Sequence, residues 1–406
     1  MRPSAWGSAL SLQSAVVHAA SVGIRVMIGY RAIANGADPI FLGVLAASFS
    51  LPALLASLSV GRLSDRVGGS ILTLGGGILM VGGMLAMALL PGLPILVVTS
   101  AVVGLGHLFS MVGQQTLVAH RAAGGASEGG FGNLSAAASI GQLVGPPLVT
   151  TVATLGALHA GRPDTTVGIF VCLALAALGL PTYFVLRSTD IGRRTLVRSA
   201  ERPNSSARAV LATPGLWRAL VVSGAVLATS DLIYAFLPVL ATETGISAVA
   251  VGWLLALRAG VSVCSRFGLA NLISRFGRRV LLLVSILAGA AGLIALPIAG
   301  LPGAIIAMVA LGITLGLPQP LTMAWVVNVS NPALHGAALG LRISANRLAQ
   351  VTLPLAVSTL AAPLGVAGIF WANAVLLAVA ATIVPRDPPR EPPGTDENPE
   401  SRLDAD

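Results

Sequence analysis

The sequence predicts an all-α membrane protein with twelve transmembrane helices in two pseudo-symmetric six-helix bundles. Three observations indicate this fold class: an extremely apolar composition, apolar runs of membrane-spanning length, and an internal repeat. Of 406 residues, 55% are hydrophobic and only 10% are charged, whereas soluble domains carry about 25% charged residues. With a mean hydropathy of +0.87, the chain is expected to have the lipid bilayer as its solvent.

The composition also excludes several kinds of partner. The formal net charge of +9 comes from arginine, because lysine is absent, and the arginines fall mainly between apolar runs, so no nucleic-acid partner is expected. Cys172 and Cys264 both lie inside apolar segments, where we expect inert core residues and neither a disulfide nor a metal site. No cofactor is expected.

Apolar runs define the helices. A hydrocarbon core of about 30 Å requires about 20 apolar residues per helix, and Gly, Pro and charged residues divide the chain into such runs. Six spans are predicted in the first half, near residues 11–34, 40–59, 71–90, 94–118, 131–155 and 165–186. Six more are predicted near 217–241, 248–268, 280–299, 302–326, 337–361 and 364–384.

These spans predict four units. An N-terminal bundle covers 1–186, an Arg-rich linker covers 187–216, and a C-terminal bundle covers 217–385. The tail, 386–406, is rich in Pro and acidic residues and is expected to be disordered.

The distribution of arginine predicts the orientation. Loops on one side carry twelve arginines, including Arg62, Arg66 and Arg275, whereas the opposite loops hold only Arg31 and Arg162. By the positive-inside rule the arginine-rich side is cytoplasmic, and an even number of spans places both termini there. We expect a multi-pass, monomeric protein of a bacterial-type inner (plasma) membrane.

An internal repeat relates the two halves. A shift of about 209 positions places Gly43 on Gly252 and the segment 61–68 on the segment 270–277. A nearly equal shift aligns three more pairs: Gly132 with Gly340, Gln142 with Gln350, and Pro146 with Pro354. Two six-helix halves related by an axis along the membrane normal are one known transporter plan.

The segment 61–68 reads Gly-Arg-Leu-Ser-Asp-Arg-Val-Gly and resembles the signature loop of the major facilitator superfamily, between the second and third helices. Its weaker copy lies between the eighth and ninth helices, as in that family. The resemblance implies a gating latch that stabilises an outward-open form and comprises Gly61, Asp65, Arg66, Gly68, Arg275, Gly277 and Arg278. A solvated basic loop with a turn at Gly68 is the alternative that the spacing leaves open.

Helix 5 contains a second resemblance. Residues 141–146 resemble a motif of proton-coupled drug antiporters, through Gly141, Gly145 and Pro146. The small residues around this bend are expected to allow close approach between the halves. The chain departs from the pattern at Val149 and Thr150, and Ser100 stands where helix 4 of those antiporters carries an arginine. These departures weaken any transfer of their proton pathway.

Charged side chains inside the spans identify a candidate site, because each costs about 3 kcal/mol at mid-bilayer. Helices 3, 6, 9 and 12, which the family fold places against lipid, contain none in the predicted spans. At a rise of about 1.5 Å per residue, five groups lie near one mid-membrane layer: Arg25, His107, Asp231, Arg258 and Arg347.

Asp231 is the leading candidate for proton coupling, because it is the only carboxylate within a predicted span; His107 is a second candidate. A static pair of Asp231 with Arg25 or Arg258 is the alternative. The candidate substrate-binding residues are the three arginines together with uncharged polar groups at similar depth: Arg25, Arg258, Arg347, Gln142, Tyr234, Asn346 and Gln350. Arginine suits carboxylate and phosphate groups, so the excess of arginine favours an anionic or zwitterionic small-molecule substrate.

The resemblance implies a secondary active transporter that moves a small organic solute by alternating access. Proton-coupled export of a drug or metabolite is the first expectation, because the helix-5 motif favours it, and proton-coupled uptake of an organic anion is the alternative. The arginine excess favours an anionic substrate in either direction. A non-transporting membrane receptor or scaffold is the alternative from another class. No enzyme is expected, because no nucleophile–base set can be assembled, and a nucleotide-binding P-loop requires a lysine.

Overall fold

The computed structural model describes residues 5–122, 127–157, 163–187, 213–330 and 335–385. Within these ranges all regular structure is helical, and twelve helices are labelled here: α1 (Ala5–Ala34), α2 (Pro39–Val67), α3 (Gly69–Leu89), α4 (Leu93–Ala122), α5 (Ser127–Leu155), α6 (Thr165–Leu186), α7 (Leu216–Thr244), α8 (Ala248–Cys264), α9 (Arg278–Ala295), α10 (Gly300–Val329), α11 (His335–Ala361) and α12 (Gly365–Thr382). A short helix, Leu269–Phe276, follows α8. The predicted fold class is confirmed. The predicted tail and most of the predicted linker lie outside the described ranges.

Most of these helices have the length and composition of membrane spans. Ten qualify individually, and an eleventh is α8 taken with the short helix Leu269–Phe276, from which it is bent by 69°. The 27-residue α11 contains Arg342, Asn346, Arg347 and Gln350, which lower its hydropathy. Three of these four side chains are buried and Arg347 is partly buried, so α11 directs them into the protein rather than into lipid.

The predicted loop after the second span is instead helical. We expected that span to end near residue 59, but α2 continues to Val67, so Gly61 and Arg66 lie on a helix. Arginine and leucine are good helix formers, and the helix ends only at Gly68, whose φ of 93° disfavours any residue with a side chain. Gly277, its partner in the repeat, has a φ of 77° and separates the short helix from α9 in the same way.

Each half packs as a bundle, and within the described ranges four helix pairs make the main contacts between the halves. In the first half α1 contacts α5 and α6, while α4 contacts α2 and α3; in the second half α10 contacts α8 and α9, and α7 contacts α11 and α12. The contacts between halves are α1 with α7, α2 with α7, α2 with α11, and α5 with α8. The interface therefore consists of the helices on which the sequence places most of the charged groups.

Glycines bring the halves together on one side of the membrane. We call the side where α1 begins and α12 ends the arginine-rich side. Near the other side, a Cβ on Gly43 of α2 would lie 3.0 Å from the carbonyl oxygen of Pro354. A Cβ on Gly252 of α8 would lie 2.9 Å from the carbonyl oxygen of Pro146. Each glycine thus lies against backbone of the other half, and also against a hydroxyl side chain, Ser358 for Gly43 and Thr150 for Gly252. The repeat relates one contact to the other.

On the arginine-rich side the corresponding helices are apart. Gly132 of α5 and Gly340 of α11 are exposed, and no atom of the described residues lies within 4 Å of where their Cβ would be. Gly132 precedes Leu143 by three helical turns and lies on the same face, which is the face that α5 turns toward α8. The central region is thus closed at one end and open at the other.

Candidate functional site

An ion pair joins the two halves deep in the membrane. The Nη2 atom of Arg25 on α1 lies 2.7 Å from Oδ1 of Asp231 on α7, and the side chain of Asp231 is only 3% exposed. Ser50 of α2 donates a hydrogen bond of 3.2 Å to Oδ2 of Asp231. The carboxylate of the second half is therefore satisfied by two side chains of the first half.

Tyr234 holds two arginines on its aromatic ring. It follows Asp231 by one turn of α7 and thus shares its face. The guanidinium carbon of Arg25 lies 5.1 Å from the centre of the ring, and that of Arg258 on α8 lies 4.9 Å from it. Arg258 also donates a hydrogen bond to the phenolic oxygen of Tyr234. The ring centre of Phe49 on α2 also lies 4.6 Å from the guanidinium carbon of Arg25. Such cation–π contacts stabilise a desolvated guanidinium by about 2 kcal/mol.

Arg258 and Arg347 have no carboxylate partner among the described residues. Arg258 is 4% exposed, and its Nε has no hydrogen-bond partner in the described part of the chain. Arg347 donates to Gln350 on the same helix, at 3.2 Å, and lies within electrostatic range of Arg25 and Asp231. A buried cation without a counter-charge is costly, so this layer carries positive charge that Asp231 cannot neutralise.

A small cavity lies beside the ion pair. It has a volume of about 20 Å³, and Arg25, Phe49, Ser100 and Asp231 contribute to its wall. That volume accommodates about one water molecule. The hydroxyl of Ser100 has no partner in the described residues and is buried. Ser100 occupies the position at which the helix-4 motif of the antiporters carries an arginine, so here the guanidinium beside the cavity comes from α1 instead.

Two histidines of the first half contact each other near the ring of Phe49. The rings of His18 on α1 and His107 on α4 are edge to face, with centroids 5.3 Å apart. Nδ1 of His18 lies 2.9 Å from the carbonyl oxygen of Ser14, and because a carbonyl only accepts, that nitrogen carries a proton. His18 was not selected from the sequence, although it precedes Arg25 by two turns and therefore lies on the same face of α1.

The remaining uncharged residues predicted for the site differ in burial: two on α11 are buried and one on α5 is partly exposed. Gln350 and Asn346 of α11 are 7% and 6% exposed, and Oδ1 of Asn346 has no partner in the described residues. Gln142 of α5 is partly exposed, and no hydrogen bond of the described residues joins it to the charged layer. The layer thus brings together Arg25, Asp231, Tyr234 and Arg258 directly, with Arg347 and His107 near them.

The helix-5 motif packs differently from our expectation. A Cβ on Gly145 would lie 2.5 Å from the carbonyl oxygen of Ala19, and Gly141 approaches Ala15 of α1 in the same way. Both glycines therefore allow close packing within the first half, and not between the halves as predicted. The contact with the second half comes from Pro146, whose carbonyl oxygen faces Gly252, because this residue lies on a different face of the helix.

The predicted gating residues lie apart from this layer, at the arginine-rich surface. Arg66 is exposed near the end of α2, where Ser64 donates a hydrogen bond of 2.8 Å to Thr116 of α4. The side chain of Asp65 lies outside the part of the chain that can be described. Arg275 stacks on Phe276 at 5.5 Å, on the short helix that precedes Gly277 and Arg278.

The sequence matches the family described as the Major Facilitator Superfamily over residues 10–239 and 220–404. A search of the curated proteins finds no match.

Solved structures of several transporters have a similar fold. The nucleoside transporter NupG superposes with a TM-score of 0.78 at 13% identity, covering 93% of this chain and 98% of that chain. The peptide transporter POT in complex with sulfate superposes with a TM-score of 0.72 at 16% identity, covering 93% of each chain. A bacterial homologue of the human lysosomal transporter Spinster, in an inward-facing and occupied conformation, gives 0.70 at 15% identity, covering 93% of this chain and 95% of that chain. At these identities the likeness concerns the fold alone.

Proposed function

The chain belongs to the major facilitator superfamily, and from that premise we propose that it is a proton-coupled secondary transporter of a small organic anion. The observation that carries this proposal is the ion pair between Arg25 and Asp231, which connects the halves beside two further arginines that lack a carboxylate partner. The solute crosses by alternating access, as the two bundles rock about the central layer.

Protonation of Asp231 supplies the coupling. A neutral carboxyl group no longer attracts the guanidinium of Arg25 as strongly, so the proton weakens the ion pair. Arg25, Arg258 and Arg347 then present their positive charge to the cavity without a counter-charge. An anionic group on the solute then replaces the carboxylate of Asp231 as the partner of the three arginines. The negative charge that the solute adds is balanced by the proton on Asp231.

This arrangement favours cotransport over exchange. Protonation of Asp231 releases Arg25, which the anion needs for binding. The proton and the anion therefore each raise the affinity of the protein for the other. With the arginine-rich side in the cytoplasm, as the positive-inside rule predicts, an inward proton gradient drives uptake of the anion. The central layer binds the anionic group, and Tyr234 fixes the spacing of Arg25 and Arg258 around it.

Export remains a second candidate, and the helix-5 motif favours it. Exchange requires that the proton and the solute compete for the same group, which here is the carboxylate of Asp231. A solute that competes for a carboxylate carries a positive charge. The charge of the transported solute therefore separates the two candidates, and everted vesicles separate uptake from export.

Substitution of Asp231 tests the coupling. The purified protein is placed in liposomes that contain a pH-sensitive dye, and gradients of organic carboxylates and phosphates are imposed in turn. We expect the wild type to move protons with the anion, and Asp231→Asn to retain anion exchange between the two sides while losing the proton flux. Glu243→Gln, at the exposed end of the same helix, is the matched control. Accumulation by Asp231→Asn that still follows the pH gradient would exclude Asp231 from coupling.

Substitution of Arg258 tests the substrate class. A hydrogen bond to a charged group contributes about 1.5–3 kcal/mol, so Arg258→Gln is expected to lower the apparent affinity for the transported anion at least about tenfold. Arg342→Gln is the control, since Arg342 is bonded to Thr322 and the backbone of Gln319 on α10. Equal loss of affinity in the two variants contradicts a role of Arg258 in binding.

A further inference from the structure

An open groove runs along α8, on a face that does not contain the charged layer. It has a volume of about 760 Å³, and its lining includes Trp253, Leu257 and Val261 of α8, Leu317 of α10, Leu272 of the short helix, and Leu143 of α5. Trp253 is 62% exposed and Leu143 is 40% exposed. One wall therefore belongs to the first half of the protein and the other walls belong to the second half.

The surroundings of this groove determine what can fill it. Apart from the end at the short helix, its lining residues lie on helices of membrane-spanning length, so the medium at that depth is hydrocarbon. Water does not fill an apolar groove of this kind, because it lacks polar partners there. The molecules that are available in quantity at this depth are the acyl chains of lipids.

Basic residues lie at one end of the groove. It extends along α8 to Cys264 and Ser265, where the chain bends by 69° into Leu269–Phe276. Arg266 follows Ser265 directly and is exposed, as is Arg275. On the short helix, Leu269, Leu272 and Ile273 pack toward the core. This end of the groove lies on the arginine-rich side, at the level where lipid headgroups are expected.

We propose that this groove binds an anionic phospholipid of the leaflet on the arginine-rich side. One acyl chain lies along α8, and Arg266, directly after the end of the groove, contacts the headgroup phosphate. The charge selects an anionic lipid over a zwitterionic one, because arginines near the surface attract anionic headgroups.

The position of the groove also predicts an effect on conformation, which rests on the alternating access proposed above. A Cβ on Gly260 of α8 would lie 3.5 Å from Cδ1 of Leu143 on α5, so the groove narrows where the two halves meet. An acyl chain on the arginine-rich side of this contact keeps α5 and α8 apart there. The bound lipid therefore stabilises the conformation that is open on the arginine-rich side.

The same groove explains one wrong prediction. We expected Cys264 to be a core residue, but it is exposed and contributes to the lining. The apolar run around it identified a membrane span, but not which face of the helix is covered by protein. Cys172, in contrast, is buried, as predicted.

Fluorescence of Trp253 tests lipid binding without any transport assay. The protein is reconstituted in phosphatidylcholine vesicles to which one brominated lipid is added, either brominated phosphatidylglycerol or brominated phosphatidylcholine. Bromine atoms on the acyl chains quench nearby tryptophans. The part of the signal that is lost in Trp253→Phe belongs to Trp253. We expect half of this part to be quenched at an about fivefold lower content of brominated phosphatidylglycerol than of brominated phosphatidylcholine. That ratio corresponds to the contribution of one arginine near the membrane surface.

Two variants locate the site. Arg266→Gln is expected to abolish the preference for phosphatidylglycerol, whereas Arg187→Gln, an exposed arginine at the end of α6, should retain it. Gly260→Leu fills the groove and should reduce quenching by both lipids, whereas Gly82→Leu on the exposed face of α3 should not. Equal quenching by the two lipids in the wild type overturns the proposal. Disulfide crosslinking between the Cys264 residues of two chains would also overturn it, since a second copy would then occupy the groove.

Discussion

On the side opposite the arginine-rich loops, Gly43 and Gly252 contact the backbone at Pro354 and Pro146. On the arginine-rich side, no neighbouring helix of the described ranges comes within 4 Å of the Cβ positions of Gly132 and Gly340. All of these residues belong to pairs that the internal repeat relates. The contacts at the closed side therefore come in duplicate, one from α2 with α11 and one from α5 with α8. Glycine is present at both ends of the interface, but only one end is closed.

This difference shows how the halves are held together. At the closed side Gly43 and Gly252 lie against backbone and a hydroxyl side chain of the other half, with no room for a side chain of their own. The layer between the two sides contains the ion pair of Arg25 with Asp231. On the arginine-rich side the same helices contribute exposed residues. A movement that reverses the two ends has to break both glycine contacts and rearrange the ion pair.

The largest effect is expected from a side chain at the closed side. A Cβ on Gly252 would already lie 2.8 Å from the Cα of Pro147, and backbone cannot yield as a flexible side chain does. Gly252→Leu is therefore expected to destabilise this conformation by about 3 kcal/mol or more. The protein should shift toward a conformation in which the halves are apart at this side. Gly43→Leu should act in the same way.

Spin labels measure this shift. With Cys264→Ser as background, labels are attached at Arg66→Cys and Arg275→Cys, one on each half at the arginine-rich surface. We expect the distance between the labels to shorten in Gly252→Leu, together with a loss of transport. An unchanged distance in a variant that still transports contradicts the assigned closed side.

An intermediate effect is expected at the turns on the arginine-rich side. Gly68 and Gly277 have φ values of 93° and 77° with ψ near 150°, a region that is strained for residues with a side chain. Gly68→Ala and Gly277→Ala are expected to lower the free energy of unfolding by about 1–2 kcal/mol, as seen in thermal unfolding in detergent. Gly61→Ala is the control, because Gly61 lies inside α2 and a Cβ there meets no neighbour among the residues that the structure describes. If it destabilises the protein as much as Gly68→Ala, backbone strain is not the cause.

The smallest effect is expected at the open ends. Gly132 and Gly340 lie inside helices and have space for a methyl group, so Gly132→Ala and Gly340→Ala should raise the free energy of unfolding by about 0.5–1 kcal/mol. The label distance should remain that of the wild type. A clear loss of stability in either variant would show that this end is packed, and would remove the difference between the two ends.

The fold was predictable because its signals are local. Every run that was long and apolar enough became a helix, and the repeat identified the pairs Gly43 with Gly252 and Pro146 with Pro354 before their contacts were known. Helix ends were less predictable. Polar residues such as Arg62 and Arg66 indicated a loop, yet they continue α2 to Val67, because charged residues do not end a helix and a glycine with positive φ does.

The candidate site was predictable in part. The depth of Arg25 and Asp231 followed from counting residues, but the sequence allowed Asp231 to pair with Arg25 or with Arg258. Tyr234 was selected as a polar group, whereas the contact of its ring with two guanidinium groups was not foreseen. The contact of His18 with His107 was missed, since a single histidine in an apolar helix gives no indication of its neighbour on another helix.

The sequence by itself determined the solvent of this protein, the number and order of its helices, and the depth at which each charged residue lies, because these depend on hydropathy and on a fixed rise per residue. The tertiary structure decided which arginine pairs with Asp231, which glycines are in contact, and which end of the interface is open. These features depend on the rotation of each helix about its axis and on packing between helices distant in sequence, and neither is encoded in any single segment.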